Sequence, residues 1–262
     1  MKLHLNHPFH LVNPSPWPII NSLNLMNLLL GLLKWTQTTS MNLVMLSMIS
    51  IVITSLQWWR DMIRESTFQG LHSMQVQLGL KMGMIMFIIS EVMFFISFFW
   101  AYFHTSLSPS MEIGLNWPPS SIIPFNPMSM PLLNTMILLC SGMTITWSHY
   151  CMVNNNMKNS QKTTLMTLLL GLYFSSIQTY EYLQAPFSIS DSIYGSTFFV
   201  MTGFHGIHVF IGTCFIGVEW MRTLKNQFSK VRHLGIEMAA WYWHFVDVVW
   251  LFLFIAIYWW GK

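Results

Sequence analysis

Seven long apolar segments alternate with short polar connections along this chain. They lie at about 16–34, 41–59, 73–105, 129–152, 160–183, 191–224 and 234–260. A helix rises about 1.5 Å per residue, so about 20 residues cross a hydrocarbon core of about 30 Å. Isolated strands cannot satisfy their backbone groups in lipid. The pattern therefore predicts an all-α polytopic membrane protein with seven transmembrane helices, and residues 1–262 form a single membrane domain.

Prolines mark the ends of these segments. All eleven lie outside the segments or at their edges, and six crowd the third connection and its border with the fourth segment, at positions 109, 118, 119, 124, 127 and 131. Because proline breaks helices and favours turns, this placement supports the same segment boundaries. We expect the third connection to be an ordered cap on one face of the membrane.

The composition agrees with a membrane protein. Hydrophobic residues make up 53% of the chain and charged residues only 8%, whereas soluble domains carry about 25% charged residues. Glycine-rich phosphate loops, dinucleotide fingerprints, H-E-x-x-H and nucleophile elbows are absent, and nothing indicates nucleic-acid binding. Cys140, Cys151 and Cys214 form no C-x-x-C pair and are interpreted as small buried apolar residues.

Cationic residues predict the orientation of the chain. With the N-terminus on side one, that side collects Lys2, Arg60, Arg64, Lys158, Lys162, Arg222, Lys225, Lys230 and Arg232. The opposite side has Lys34 and Lys262, and Lys81 lies inside the third segment. By the positive-inside rule, the N-terminus faces inside and the C-terminus outside. The first residues match neither a signal peptide nor an Arg-rich transit peptide.

Glu91 is the one residue strictly between Lys81 and His104 in the third segment that is an Asp, Glu, Lys, Arg or His. Helical rise places it about 15 Å from Lys81, near the middle of the bilayer. A carboxylate there costs at least about 2.5 kcal/mol, so it is protonated, paired or turned towards other helices. Two interpretations stay open: a protonatable group on a proton or ligand path, and a neutral acid that is hydrogen-bonded within the bundle.

Two pairs of polar residues recur at i and i+3 on later helices. His205 and His208 could bind a metal, but no acid or cysteine lies nearby in sequence to complete the set. We therefore favour structural hydrogen bonds and predict no metal site. His244 and Asp247 could form a proton relay, although a buried structural pair explains them better.

A cluster of tryptophans and cations on side one is the candidate lipid-binding site. Around the second connection lie Trp58, Trp59, Arg60, Arg64, Glu65 and His72, and around the sixth lie Arg222, Lys225, Lys230, Arg232 and His233. Such cations attract anionic head groups by about 1 kcal/mol each, and tryptophans anchor at the same depth. Ordinary topology-setting charge explains much of the cluster. Glu181 and Glu219, near span ends, are expected at the interface rather than buried.

Several stretches, taken together, resemble the cytochrome c oxidase subunit III family of mitochondria. They are HPFHLVNPSPWP, QWWRDMIRESTFQG, GMIMFIISEVMFFISFFWAYFHTSLSP, QTYEYLQAPFSISDSIYGSTFF, TGFHGIHVFIGT and EMAAWYWHFVDVVWLFLFIAIYWWGK. The resemblance runs nearly from end to end and preserves the order of the motifs. It implies a multi-pass protein of the mitochondrial inner membrane, with its N-terminus in the matrix and its C-terminus in the intermembrane space.

The resemblance also implies an arrangement and a set of lipid contacts. Helices one and two, in residues 1–72, would be split from helices three to seven, in residues 73–262, in a V whose cleft holds phospholipids. By motif position, Glu91 resembles the family's intramembrane carboxylate. The residues that resemble the family's cleft-lipid contacts are Arg64, Glu65, His72 and Arg222.

Two positions depart from the family pattern. The family often has two histidines before the third helix, whereas this chain has Leu71 and His72. Lys81 stands where a related sequence carries arginine, and lysine lacks the bidentate fork for phosphate. We therefore expect weaker or rearranged lipid contacts near helix three.

The implied function is that of a non-redox core subunit of the terminal respiratory oxidase, complex IV. That enzyme transfers electrons from cytochrome c to oxygen, forms water and pumps protons. This chain would bind no haem or copper itself, since haem a and copper belong to partner subunits. Its implied partners are the catalytic subunit 1, other oxidase subunits, phosphatidylethanolamine, phosphatidylglycerol and cardiolipin, and a respiratory supercomplex.

The residues alone leave two other classes open. A proton-coupled transporter would use Glu91 as its coupling site, but neither inverted repeats nor paired broken helices are evident. A haem-bearing membrane cytochrome would use His205, His208 and His244. It would show widely spaced histidine pairs on two helices, and that pattern is missing.

Overall fold

Seven long helices account for most of the chain in the computed structural model, which describes residues 9–262. They are α1 Trp17–Thr38, α2 Asn42–Thr67, α3 Met74–Leu107, α4 Met130–Val153, α5 Met157–Leu183, α6 Ile193–Leu224 and α7 Leu234–Leu253. A 3₁₀ helix covers Met111–Ile113, and a π-helical stretch, Phe254–Trp260, continues α7. The described residues contain no strand, so the predicted all-α fold with seven helices is confirmed. Lys2, counted in the charge bias, and the first two residues of HPFHLVNPSPWP lie outside the described residues.

Five of these helices are long and apolar enough to cross a membrane, namely α2, α3, α4, α6 and α7 with its π-helical continuation. The helix α5 is more polar because it carries several serine and threonine side chains, and some of their hydroxyl groups form hydrogen bonds with α4. Ser148 Oγ lies 2.6 Å from Thr164 Oγ1, and Thr144 Oγ1 lies 2.8 Å from Thr167 Oγ1. Such hydrogen bonds between helices satisfy polar side chains that would otherwise be costly in lipid.

The helix ends differ from the predicted ends mainly in α2. This helix continues to Thr67, eight residues beyond the predicted end at 59. Arg60 and Glu65 therefore lie on the last turns of α2 rather than in a connection. The sequence placed the boundary at the first charged residues, but a helix that leaves the membrane can continue into the polar interface.

Residue contacts divide the chain into two compact units, Met1–Leu80 and Lys81–Lys262. In the first unit, α1 packs on α2 through polar side chains. Asn21 Oδ1 accepts a hydrogen bond from Thr54 Oγ1 at 2.7 Å, and Trp17 Nε1 donates to Asp61 Oδ2 at 2.7 Å. The V-shaped arrangement and the division into residues 1–72 and 73–262 stay predictions.

In the second unit, α4, α5, α6 and α7 meet around the indole ring of Trp243, which is fully buried. Glycines make room for this ring on two neighbouring helices. A Cβ atom at Gly171 would lie 2.7 Å from Trp243 Cη2, and one at Gly212 would lie 2.9 Å from Trp243 Cε3. On α4, Ser141 Oγ accepts a hydrogen bond from Trp243 Nε1 at 2.8 Å.

Two carboxylates contradict the sequence-based expectation. Glu181 and Glu219 are only 2% and 4% exposed, so the prediction that they lie at the interface rather than buried is wrong. Each carboxylate accepts a hydrogen bond from a side chain of the second unit. Tyr258 donates its hydroxyl hydrogen to Glu181 Oε1 at 2.7 Å, and Arg222 Nη1 donates to Glu219 Oε2 at 3.0 Å. A buried acid is tolerated when it is hydrogen-bonded or paired.

The cysteines are free thiols in three different environments. Cys151 is buried as predicted, Cys140 is half-buried and Cys214 is exposed on the protein surface. The prediction of burial is therefore wrong for Cys214, because the sequence shows only that α6 is apolar and not which of its faces packs inward.

Candidate functional site

Glu91 and His208 form a close pair within the second unit, between α3 and α6. His208 Nε2 lies 2.9 Å from Glu91 Oε2, and the two side chains are 10% and 24% exposed. The other ring nitrogen of His208, Nδ1, lies 2.7 Å from the backbone carbonyl oxygen of Phe204 one turn earlier. The Glu91 carboxyl group is thus hydrogen-bonded, and both ring nitrogens of its histidine partner are engaged.

The hydrogen bonds of His208 restrict where its protons can be. The carbonyl oxygen of Phe204 can only accept, so Nδ1 carries a hydrogen. One further proton then joins Nε2 to the carboxyl group. The pair is either an imidazolium with a carboxylate or a neutral ring that accepts from a carboxylic acid. Both forms have no net charge, which limits the cost of placing an acid in a membrane span.

Aromatic rings surround this pair. The ring of Phe95 lies 5.1 Å from that of His208, centroid to centroid, and the rings of Phe245 and Tyr242 lie at 6.1 Å and 6.4 Å. An apolar wall of this kind strengthens the electrostatic contact because it keeps water away. The partly exposed side of Glu91 leaves one edge of the pair at the surface of the second unit.

The other predicted polar residues have separate surroundings. His205 is buried, and its Nε2 lies 3.2 Å from the carbonyl oxygen of Val246 on α7. Asp247 Oδ2 lies 3.8 Å from His244 Nδ1, and the histidine side chain is 41% exposed. A haem iron requires a histidine nitrogen with open space along its axis. His205 and His208 therefore do not fit haem ligation, since one is enclosed and the other uses both nitrogens.

The candidate lipid cluster of the second connection is partly gathered around one cavity. This cavity, of about 440 Å³, lies in the first unit, and its walls include Trp58, Arg64, Glu65 and His72. Trp59 and Arg60 do not line it. The Arg60 guanidinium instead forms an ion pair with the neighbouring Asp61 at 3.1 Å.

The candidate lipid residues of the sixth connection belong to the second unit. Arg222 is already engaged there, because it contacts Glu219 at 3.0 Å and lies 4.4 Å from the centre of the Phe228 ring. Lys225 is exposed where α6 ends. His233 precedes α7, and its ring lies 5.1 Å from that of His149.

Some polar pairs were not identified from the sequence. Lys81 Nζ lies 2.8 Å from Glu237 Oε1 and joins α3 to α7, which gives this lysine a protein partner. The Glu91–His208 pair was also missed. Its members are 117 positions apart, and no local spacing in the sequence could connect them.

Comparison with known proteins places these features in a family. The family model described as cytochrome c oxidase subunit III matches residues 7–262. Proteins called cytochrome c oxidase subunit 3 from Drosophila melanogaster and Aedes aegypti are each 57% identical to the chain, and the alignments cover 100% of both sequences. The protein of that name from Damaliscus lunatus is 54% identical over 99% of both chains. With similarity of this extent over the whole length, the chain belongs to the cytochrome c oxidase subunit III family.

Proposed function

We propose that this chain is a non-redox core subunit of the terminal respiratory oxidase and supplies a proton-holding pair inside the membrane. Membership of the family supports the assignment to the oxidase over a free-standing transporter. The observation that carries the second part is the 2.9 Å contact between His208 Nε2 and Glu91 Oε2. The proton that the pair shares can move between His208 Nε2 and Glu91 Oε2 with little movement of heavy atoms and with no change in the net charge of the pair.

In this proposal the chain contributes to oxidase activity as a subunit, while electrons pass through haem a and copper in partner subunits. The surroundings of two histidines support this division. Both ring nitrogens of His208 contact the protein's own groups, and the ring of His205 is buried with its Nε2 beside the Val246 carbonyl oxygen. The complex oxidises cytochrome c, reduces oxygen to water and pumps protons. The chain acts on this reaction through the stability and proton supply of the catalytic subunit 1.

The proposed ligands are phosphatidylethanolamine, phosphatidylglycerol and cardiolipin. The cavity of the first unit supports this part because it combines the Arg64 guanidinium with the apolar ring of Trp58. A phosphate group would contact the guanidinium, and the start of an acyl chain would lie along the ring. Lys225 offers a second, exposed cation in the other unit.

The proposed location is the mitochondrial inner membrane, with the N-terminus in the matrix and the C-terminus in the intermembrane space. The nine cations on side one against two on the other support this orientation. Other oxidase subunits are the direct partners, and association into a respiratory supercomplex would bury further surface of the same complex.

The test replaces Glu91 by glutamine in the assembled oxidase. The Glu91→Gln side chain keeps a hydrogen bond to His208 but cannot gain or lose the proton. We expect normal subunit composition together with fewer protons pumped per electron or faster inactivation during turnover. Proton release and oxygen uptake are measured on the same vesicles that contain the purified enzyme.

The matched control is Glu112→Gln, which removes a carboxylate from the third connection, outside the membrane spans. It is expected to match the unsubstituted enzyme in pumping and inactivation. An assembled Glu91→Gln oxidase with unchanged pumping and an unchanged inactivation rate would overturn the proton-holding role. Recovery of the chain without any haem- or copper-containing partner would overturn the assignment to the oxidase.

A further inference from the structure

Three potential metal ligands from separate segments converge in the first unit. They are His10, which precedes α1, Glu65, in the last turn of α2, and His72, in the connection before α3. The ligand atoms of the three residues all lie within 4.8 Å of one another. We propose that this cluster binds a divalent transition-metal ion of the Zn²⁺ type.

The observed spacing is close to that of a zinc site. With Zn–N and Zn–O bonds of about 2.0–2.2 Å, ligand atoms around a tetrahedral zinc ion lie about 3.4 Å apart. His10 Nε2 is already 3.6 Å from Glu65 Oε2. No pair of ligand atoms has to approach by more than about 1.4 Å, which is the difference between 4.8 Å and the spacing in a tetrahedral site, and side-chain rotations can supply this movement.

The state of the ligands also favours a cation. His10 Nε2 is buried and makes no hydrogen bond within the described part of the chain. Its ring stands edge-on to that of His72, at 5.2 Å between centroids. Its 3.6 Å contact with Glu65 Oε2 is too long for a hydrogen bond. A buried ring nitrogen that makes no hydrogen bond costs free energy, and coordination to a metal ion would recover it. The carboxylate of Glu65 would supply the negative charge that two neutral imidazoles lack.

The ligand set selects the type of metal. Imidazole nitrogens suit Zn²⁺, Cu²⁺ and Ni²⁺, whereas Mg²⁺ and Ca²⁺ prefer sets made of oxygen ligands alone. Two histidines with one glutamate occur at zinc sites that keep a fourth position open. Here all three ligands line the cavity of about 440 Å³, so a water molecule or another oxygen ligand could complete the coordination.

The charges around the cavity allow a divalent ion. Two carboxylates, Asp61 and Glu65, and one guanidinium, Arg64, line its wall, so its formal charge before metal binding is −1. The Asp61 carboxylate is held by the Trp17 indole N–H, 2.7 Å away, and by Arg60 at 3.1 Å. This leaves Glu65 as the carboxylate that directly faces the histidines.

The sequence did not predict this site. His10 and Glu65 are 55 positions apart, and Glu65 and His72 are 7 positions apart, so no compact metal-binding motif is present. Packing of α1 on α2 brings the segment before α1 to the end of α2. The metal site does not rest on the proposed proton role of Glu91, but it gives Glu65 and His72 a role besides lipid contact.

The experiment measures zinc binding to the purified oxidase after loosely bound metal has been removed with a chelator. Equilibrium dialysis against ZnCl₂, followed by elemental analysis, gives zinc per haem. The His10→Ala complex is expected to bind about one zinc ion fewer than the unsubstituted complex. The His10→Cys complex should retain that ion, because a thiolate is also a zinc ligand.

The matched control is His104→Ala, which removes an exposed histidine at the other end of the chain's third helix. It should bind as much zinc as the unsubstituted oxidase.

Phospholipid is quantified in the same samples by mass spectrometry. Loss of zinc at constant lipid content in His10→Ala supports the site. Equal zinc binding by His10→Ala and the control overturns it. A loss of zinc that occurs only together with loss of phospholipid also overturns it, since lipid phosphate would then be the ligand.

Discussion

Adding one methyl group at Gly171 tests the packing of the second unit. This glycine lies on α5 where α6 and α7 come closest to it. A Cβ atom there would be 2.5 Å from Thr213 Cγ2 and 2.7 Å from Trp243 Cη2. Neither atom can move away easily, because the threonine is β-branched and the indole ring is enclosed on all sides.

The expected cost of Gly171→Ala follows from two opposing effects. Alanine favours a helix over glycine by about 1 kcal/mol. Forcing an extra carbon into a close-packed core costs about 1–3 kcal/mol, and two contacts well below 3.0 Å place this site in the upper part of that range. The net loss of stability is therefore about 1–2 kcal/mol.

A thermal assay on the detergent-solubilised oxidase measures this loss. Samples are heated in steps, and the fraction of this chain that stays in the complex is read from native gels. A loss of about 1–2 kcal/mol lowers the midpoint by about 2–8 °C for a unit of this size. The control is Gly206→Ala on α6, where a Cβ atom meets nothing within 4 Å. Its midpoint should be unchanged or slightly raised.

A second substitution identifies the cause. Thr213→Ser removes the methyl group that the new Cβ atom would meet, so Gly171→Ala combined with Thr213→Ser should lose less than the two single variants predict by addition. Equal midpoints for Gly171→Ala and Gly206→Ala would refute the packing argument. Strict additivity of the double variant would locate the clash elsewhere.

Two further predictions concern buried hydrogen bonds and use the same thermal assay. Ser141→Ala removes the acceptor of the Trp243 indole N–H. The buried donor is then unsatisfied, which should lower the stability by about 1–3 kcal/mol. A midpoint equal to that of the unsubstituted oxidase would contradict this prediction. Glu181→Ala leaves the Tyr258 hydroxyl without its acceptor and should lower the midpoint. Glu181→Gln keeps an oxygen acceptor and should lower the midpoint less. Equal losses in the two variants would show that this hydrogen bond does not stabilise the chain.

The Glu91–His208 pair gives the second unit a chemical feature that its packing alone does not require. Many membrane helices pack without a titratable group at mid-depth, since such a group is costly in lipid. Here the cost is offset because the pair is neutral overall and aromatic rings line it. Its side chains are also largely enclosed, since that of His208 is 10% exposed and that of Glu91 is 24% exposed. The same arrangement makes the position of one proton adjustable, which is the property that the glutamine variant removes.

The sequence alone determined the number and type of the helices. Apolar segments of membrane-spanning length can satisfy their backbone only as helices, and prolines at the segment ends give approximate boundaries. Sequence reasoning also singled out Glu91, because a lone acid in a long apolar run is costly wherever the helix points. The motifs further identified the family, and the full-length comparisons confirmed it.

Tertiary structure decided which residues meet. In a soluble helix, the polar face shows which side is exposed, but in a membrane helix both the lipid-facing and the inward-facing sides are apolar. The sequence therefore could not show the rotation of α3 that brings Glu91 to His208, or the burial of Glu181 beside Tyr258. For the same reason, the contact of Lys81 with Glu237, 156 positions later, emerged only when α3 and α7 packed together.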